Sequence, residues 1–200
     1  MITRAELKRQ AKESLKGNWG IAIGLMLLYG LIVVALTYTA VGGLFTGVFA
    51  AGYIWVSMML IRGQKPEVKD LFHGTSIFAE SFVAGLLLGI FTFLWTMLFF
   101  IPGIVKSYSY SMTYFILNDN PGMKANDAIT ASRKMMNGHK MELFLLDLSF
   151  IGWIILTGLT LGILSLYVSP YMQQTRAAFY ENLKGEQSPA DMIDEETLAA

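Results

Sequence analysis

Asp147 and Arg176 each stand within or beside a long apolar stretch. There an ionised side chain is costly unless it is paired or faces the interior of a bundle. At 1.5 Å of rise per residue both lie at comparable depth, so the spacing predicts an ion pair across neighbouring antiparallel helices. Snorkelling of both heads to the interface is the alternative. Glu80 stands about one turn into another apolar run. Lys106, expected near the outer boundary, opens a run dense in hydroxyls: Ser107, Tyr108, Ser109, Tyr110, Ser111, Thr113 and Tyr114. A helix of this composition does not face lipid all round. It packs inside a bundle or lines a water-filled cavity, where Lys106, Tyr110 and Tyr114 would mark a path for protons or a substrate.

No catalytic arrangement accompanies these groups. His73 and His139 are single and lack a partner at metal-ligand spacing. There is no H-E-x-x-H, G-x-S-x-G or phosphate loop. Asp147 and Ser149 are too close along a helix to face each other. Cysteine is absent, which excludes disulfides, thiolate metal sites and cysteine nucleophiles. The expectation is a non-enzyme with no cofactor and no metal.

The elements that hold these residues follow from composition. The chain is 54% hydrophobic and 15% charged, against about 25% charged in soluble domains, and its mean hydropathy is +0.49. Charge is missing altogether from 17–61, 81–105 and 148–175. A bilayer span needs about 20 apolar residues. The pattern predicts an all-α polytopic membrane bundle, one domain over 1–184, with six spans near 19–38, 44–61, 77–100, 102–117, 141–157 and 163–183. They would form three hairpins with short outer turns, joined by short amphipathic cytoplasmic helices. Ile101-Pro102-Gly103 breaks the third span from the fourth. Asn118-Asp119-Asn120-Pro121-Gly122 is a turn, Asn126 is placed to cap a short helix over 127–136, and Asn137-Gly138 ends it. Residues 185–200 read as a flexible acidic tail.

The first 17 residues form an amphipathic helix. Thr3 can cap it, with Glu6 as the reciprocal partner. Ile2, Leu7, Ala11 and Leu15 make a thin apolar stripe, and Arg4, Lys8, Arg9 and Lys12 are placed to meet anionic lipid. The long apolar run after them is expected to stay as an uncleaved first helix. With six spans, every Lys and Arg except Lys106 falls on one side. The positive-inside rule then predicts a bacterial plasma-membrane protein with both termini cytoplasmic. Net charge is zero, and no feature points to nucleic acid. Four G-x-x-x-G pairs, Gly20/Gly24, Gly43/Gly47, Gly85/Gly89 and Gly158/Gly162, suit close packing within the bundle first and a homo-oligomer second.

Several blocks resemble a known group. They are Leu15-Lys16-Gly17-Asn18-Trp19-Gly20, Ile101-Pro102-Gly103-Ile104-Val105-Lys106, Asp119-Asn120-Pro121, Ser132-Arg133, Gly138-His139-Lys140, the stretch from Leu145 through Asp147 to Trp153, and Pro170-Tyr171. Together they resemble the DUF (domain of unknown function) 975 family of uncharacterised bacterial integral membrane proteins. The Ile-Pro-Gly break also resembles the membrane domain attached to some glycerophosphodiester phosphodiesterases, without their soluble catalytic domain. The resemblance implies a membrane module and no established activity. The expected function is therefore a non-catalytic module that binds lipid or a membrane partner in envelope homeostasis. The alternative is a small transporter or permease component built on the polar fourth helix.

Overall fold

The computed structural model describes residues 3–39, 42–98 and 100–186, with backbone alone at 43–44, 95–98 and 100–102. Every regular element among the described residues is a helix, with no strand among them. Helix α1, Arg4–Leu15, starts where the Thr3 hydroxyl accepts the Glu6 N–H at 3.3 Å. Gly17, at φ +82°, then turns the chain into α2, Trp19–Thr37. A 3-10 turn, Gly42–Phe45, leads into α3, Thr46–Ile61. A second 3-10 segment, Val68–Thr75, precedes α4, Phe78–Leu98.

The next two expected spans are each divided. The fourth is α5, Phe100–Tyr110, and α6, Thr113–Asp119. Pro102 lies in the first turn of α5, where its missing N–H has no helical acceptor to lose. The fifth is α8, Lys140–Leu148, and α9, Ile151–Leu159. Between them α7, Ala125–Met135, begins after Lys124 at the cap position. Asn126 is therefore inside the first turn and not the cap. Gly122 and Gly138, both at positive φ, close the turns on either side of α7. Helix α10, Ser165–Glu186, runs three residues past its expected end. The acidic tail beyond it lies outside the described residues.

Helices α2 and α3, α4 and α5, and α9 and α10 pack as neighbours. One core joins α3, α6, α7, α8 and α10 around Met58, Phe115, Ile116, Met135, Leu143 and Tyr180. A second lies under α1 and α2, around Leu15, Leu25, Leu60, Leu71 and Phe150. The Val68–Thr75 segment sits hard on α3. A Cβ on Gly52 would fall 1.8 Å from the Leu71 carbonyl oxygen, and one on Gly74 would fall 1.9 Å from that of Val48.

Among the described residues two segments are long and apolar enough to cross a membrane, Trp19–Thr37 and Lys140–Leu159. A third counts if the 3-10 segment and α4, bent by 74°, form one broken span. For α3 and α10, length and polarity account for the difference from the six expected. At 1.5 Å per residue α3 reaches about 24 Å, short of a hydrocarbon core of about 30 Å. Helix α10 has the length, but carries Gln173, Gln174, Arg176, Glu181 and Lys184.

The apolar stripe of α1 is also spent differently from its expected use. Leu7, Ala11 and Leu15 are buried against the rest of the protein, where α1 packs on α10 and α3. That stripe is not a lipid-facing surface.

Candidate functional site

The two helix breaks create polar backbone that must be satisfied. At the first, α5 stops and α6 starts across Ser111 and Met112, which frees the Ser109 carbonyl and the Met112 N–H. Ser132 on α7 answers both: its hydroxyl donates to the Ser109 carbonyl at 2.9 Å and accepts the Met112 N–H at 3.2 Å. At the second, Lys8 on α1 donates to the Ser149 carbonyl at 3.2 Å, with its ammonium 4.0 Å from the Phe150 ring centre. Burial first, then the charges of Lys12 and Arg4, hold the Lys8 pKa below its usual value.

Between the breaks lies the polar centre. Arg176 on α10 forks onto Asp147 on α8, Nε to Oδ1 at 3.2 Å and Nη2 to Oδ2 at 2.8 Å. Tyr108 on α5 donates its hydroxyl to the same Oδ2 at 3.1 Å. Three helices thus converge on one carboxylate, a bidentate arrangement that fixes direction as well as charge. Asp147, Arg176 and Tyr108 line a cavity of about 460 Å³ with Ser107, Ser111 and Gln173. Gln173 and Arg176 also border a larger, more open cleft of about 700 Å³ walled by Met26, Leu27, Tyr29 and Leu31. The Gln173 Nε2 is buried and makes no hydrogen bond among the described residues. The centre thus sets the Asp147–Arg176 pair beside a largely apolar cleft.

The other candidates scatter. Lys106 is half-buried and shares a cavity with Arg133, Lys134 and Lys140. Sequence reasoning put Lys106 at the outer face and those three at the inner one. Their common cavity places all four together, because α5 packs against both α7 and α8. Tyr110 is buried against Phe91, and the Tyr114 hydroxyl lies where α3 and α4 meet at Gly47 and Gly85. Lys106 and Tyr114 line different cavities. Glu80 is half-buried in the first turn of α4. The hydroxyls of Ser107, Ser109, Ser111 and Thr113 all bond carbonyls of their own segment, three or four residues back.

Among the glycine pairs, Gly47 and Gly85 face each other, whereas a Cβ at Gly20, Gly24 or Gly158 would meet nothing within 4 Å. Pro121 is exposed in its turn, Trp153 stands on the exposed face of α9, and Pro170 is buried inside α10.

One cluster had no signal in the sequence. Asp119, whose side chain is 7% exposed, accepts from Arg62 at 2.6 Å, Lys184 at 2.6 Å and Tyr180 at 2.9 Å. Arg62 also donates to Glu181 at 2.8 Å. Burial pushes the Asp119 pKa upward, but the bonds from Lys184, Arg62 and Tyr180 outweigh it and hold the carboxyl below its usual range. Asp119 reads locally as a turn residue, and its cationic partners are 57 and 65 positions away.

The family described as "Protein of unknown function (DUF975)" matches residues 1–109 and 98–187. The chain belongs to the DUF975 family. No curated protein and no solved structure matches it. Of the blocks quoted from the sequence, Ser132-Arg133 supplies the hydroxyl at the first helix break, and the stretch from Leu145 to Trp153 holds both Asp147 and the second break. Among the described residues, no group of three or more His, Asp or Glu side chains could hold a metal ion.

Proposed function

We propose that this DUF975 chain is a non-catalytic module of the bacterial plasma membrane that binds lipid or a membrane partner. The observation that carries the reading is the apolar surface the protein leaves uncovered. Leu27, Leu31 and Val34 on α2, Phe93 and Leu94 on α4, and Ile154, Ile155 and Leu159 on α9 are all more than half exposed. A water-facing protein rarely leaves so many large apolar side chains open. In this reading six segments cross the bilayer: α2, α3, α4, α5 with α6, α8 with α9, and α10. Short or polar members such as α3 and α10 are sheltered by the others. Both termini are cytoplasmic. Arg4, Lys8, Arg9 and Lys12 would meet anionic lipid through charge alone, since the apolar stripe beneath them is occupied.

The test is extraction followed by identification. Membranes are washed in alkaline carbonate, the protein is purified in mild detergent, and co-purifying lipids and proteins are identified by mass spectrometry. Retention in the membrane with one enriched companion supports the module. Release by carbonate ends the membrane reading, and a clean protein with no enriched companion ends the binding reading. The chain holds no cysteine, so single-cysteine reporters at Gln64, Asn120 and Leu161 test the sidedness. Gln64 and Asn120 should label from the cytoplasm and Leu161 from outside.

Transport is the second reading, favoured by the unpaired Gln173 amide bordering the Asp147–Arg176 cavity. The self-satisfied hydroxyls of α5 count against it, because they require no water. Cysteine reporters at Ser107 and Ser111 that stay sealed from water on both sides would remove it.

A further inference from the structure

We infer that two cavities meeting at Tyr29, one between α2, α3 and α10 and the other between α2, α3 and α4, together bind one neutral two-chain lipid of the diacylglycerol class. The inference rests on the membrane reading above and names the ligand class and the site that it leaves open.

Tyr29 on α2 and Tyr53 on α3 stack with ring centres 4.8 Å apart and planes 5° apart. Both line the cleft of about 700 Å³. Tyr29 also borders a second cavity of about 460 Å³, which it shares with Tyr114 of α6. A Cβ on Gly47 or Gly85 would lie 2.6 or 2.9 Å from the Tyr114 hydroxyl oxygen. None of the three hydroxyls makes a hydrogen bond among the described residues, and none is sealed from its cavity. Tyr29 and Tyr53 stand midway along their helices. A tyrosine in such a setting ordinarily finds a partner for its hydroxyl, and a bilayer core supplies no water to act as one. The ester carbonyls and the hydroxyl of a diacylglycerol supply those partners.

The walls call for two hydrocarbon chains. Met26, Leu27, Leu31 and Val34 on α2 and Met172 on α10 line the first cavity, and its exposed members Leu27, Leu31 and Val34 open it toward the bilayer. The second has small residues at Gly47, Ala50, Gly85 and Gly89, with Leu86 and Ile90 exposed beside them. Two apolar spaces meeting at one polar residue fit two chains joined at one polar linkage. A single-chain lipid leaves one of them empty. Arg176 is the one ionised side chain lining either space among the described residues, and it is forked onto Asp147. The site therefore asks for no net charge, and a phosphate at this depth would be costly.

The experiment is native mass spectrometry of the full chain, delipidated in mild detergent and offered an equimolar mixture of a diacylglycerol, a monoacylglycerol and phosphatidylglycerol with matched chains. The diacylglycerol should be retained in preference to both. One hydrogen bond of this kind is worth about a fivefold effect, so Y29F/Y53F, which keeps the stacked rings, should lower its retention about thirtyfold. Gly89→Leu fills the second cavity from a position where a Cβ meets nothing within 4 Å. It should lower diacylglycerol retention and leave the monoacylglycerol unchanged. Tyr38→Phe, at the exposed end of α2, should change neither. Thermal melts establish that each variant is folded, and Tyr29→Phe alone provides a milder second variant. Retention of the monoacylglycerol or phosphatidylglycerol equal to or above that of the diacylglycerol overturns the inference. So does an unchanged Y29F/Y53F or an unchanged Gly89→Leu. Carbonate extraction of the wild type reports separately on membrane residence, so loss of that reading and loss of this site are told apart.

Discussion

At the scale of single residues, the centre of the protein is one carboxylate with three donors. Asp147 takes a forked bond from Arg176 and a hydroxyl bond from Tyr108. Replacing Asp147 with Asn keeps the shape and removes the charge, so the Arg176 guanidinium loses its counter-ion while the Tyr108 bond can re-form. Losing charged hydrogen bonds of this kind costs about 1–3 kcal/mol. In a chain of this length that lowers the melting temperature by about 5 °C, readable by thermal shift in detergent. An unchanged melting temperature in Asp147→Asn would mean that the pair contributes nothing to stability. The sequence predicted this pair from depth alone. It gave no sign of Tyr108 as the third partner, because nothing in a serine–tyrosine run distinguishes the tyrosine that faces α8.

The breaks and close approaches belong to the scale of elements. Ser132 satisfies both backbone groups freed between α5 and α6, so Ser132→Ala leaves a buried donor and acceptor unpaired. The expected loss is about 1–3 kcal/mol, with the fastest hydrogen exchange appearing at Met112. Unaltered protection at Met112 would show that another group or water replaces the hydroxyl. Gly52 is a harder constraint. Its Cβ would meet the Leu71 carbonyl oxygen at 1.8 Å, a backbone atom that can yield only by separating the 3-10 segment from α3. Gly52→Ala should cost about 3 kcal/mol or prevent folding. Gly24→Ala, where a Cβ meets nothing within 4 Å, should stabilise α2 by about 0.5–1 kcal/mol. Paired thermal melts decide it, and equal effects of the two alanines would contradict the packing. Both glycines lie in apolar helices, so their difference is invisible locally.

Across the whole molecule, Asp119 ties the end of α3 to the end of α10 through Arg62, Lys184 and Tyr180. Its pKa is held below the ordinary aspartate value of 3.8. A carboxyl depressed in the folded state contributes stability that is fully present above that value and lost as pH falls through the folded pKa. The wild type should therefore lose stability steeply below about pH 4. Asp119→Asn should begin less stable at neutral pH and lose less on acidification. Melting curves from pH 7 to pH 3 check this, and parallel acid losses in the two proteins would remove Asp119 from the account. The cluster also clarifies the charge pattern. Arg62 and Lys184 count as two cations in the sequence, yet in the fold they are counter-ions of one buried acid. The bare count of cations outside the apolar segments therefore overstates the uncompensated positive charge there.

What the sequence by itself determined is local and compositional. The apolar segments, the Thr3 cap, the turns at 120–122 and 137–138 and the family follow from period, side-chain chemistry and short blocks, which act within a few residues. Tertiary structure alone decided which distant groups meet. It buried the apolar stripe of α1 against α10 and moved Lys106 into the company of Arg133, Lys134 and Lys140. It also gathered Arg62 and Lys184 onto Asp119, and broke a helix at Ser149–Phe150 where no proline or glycine marks the place. Charge and hydropathy fix how much a group gains by finding a partner, but only the packing of helices far apart in the chain fixes which partner lies within reach.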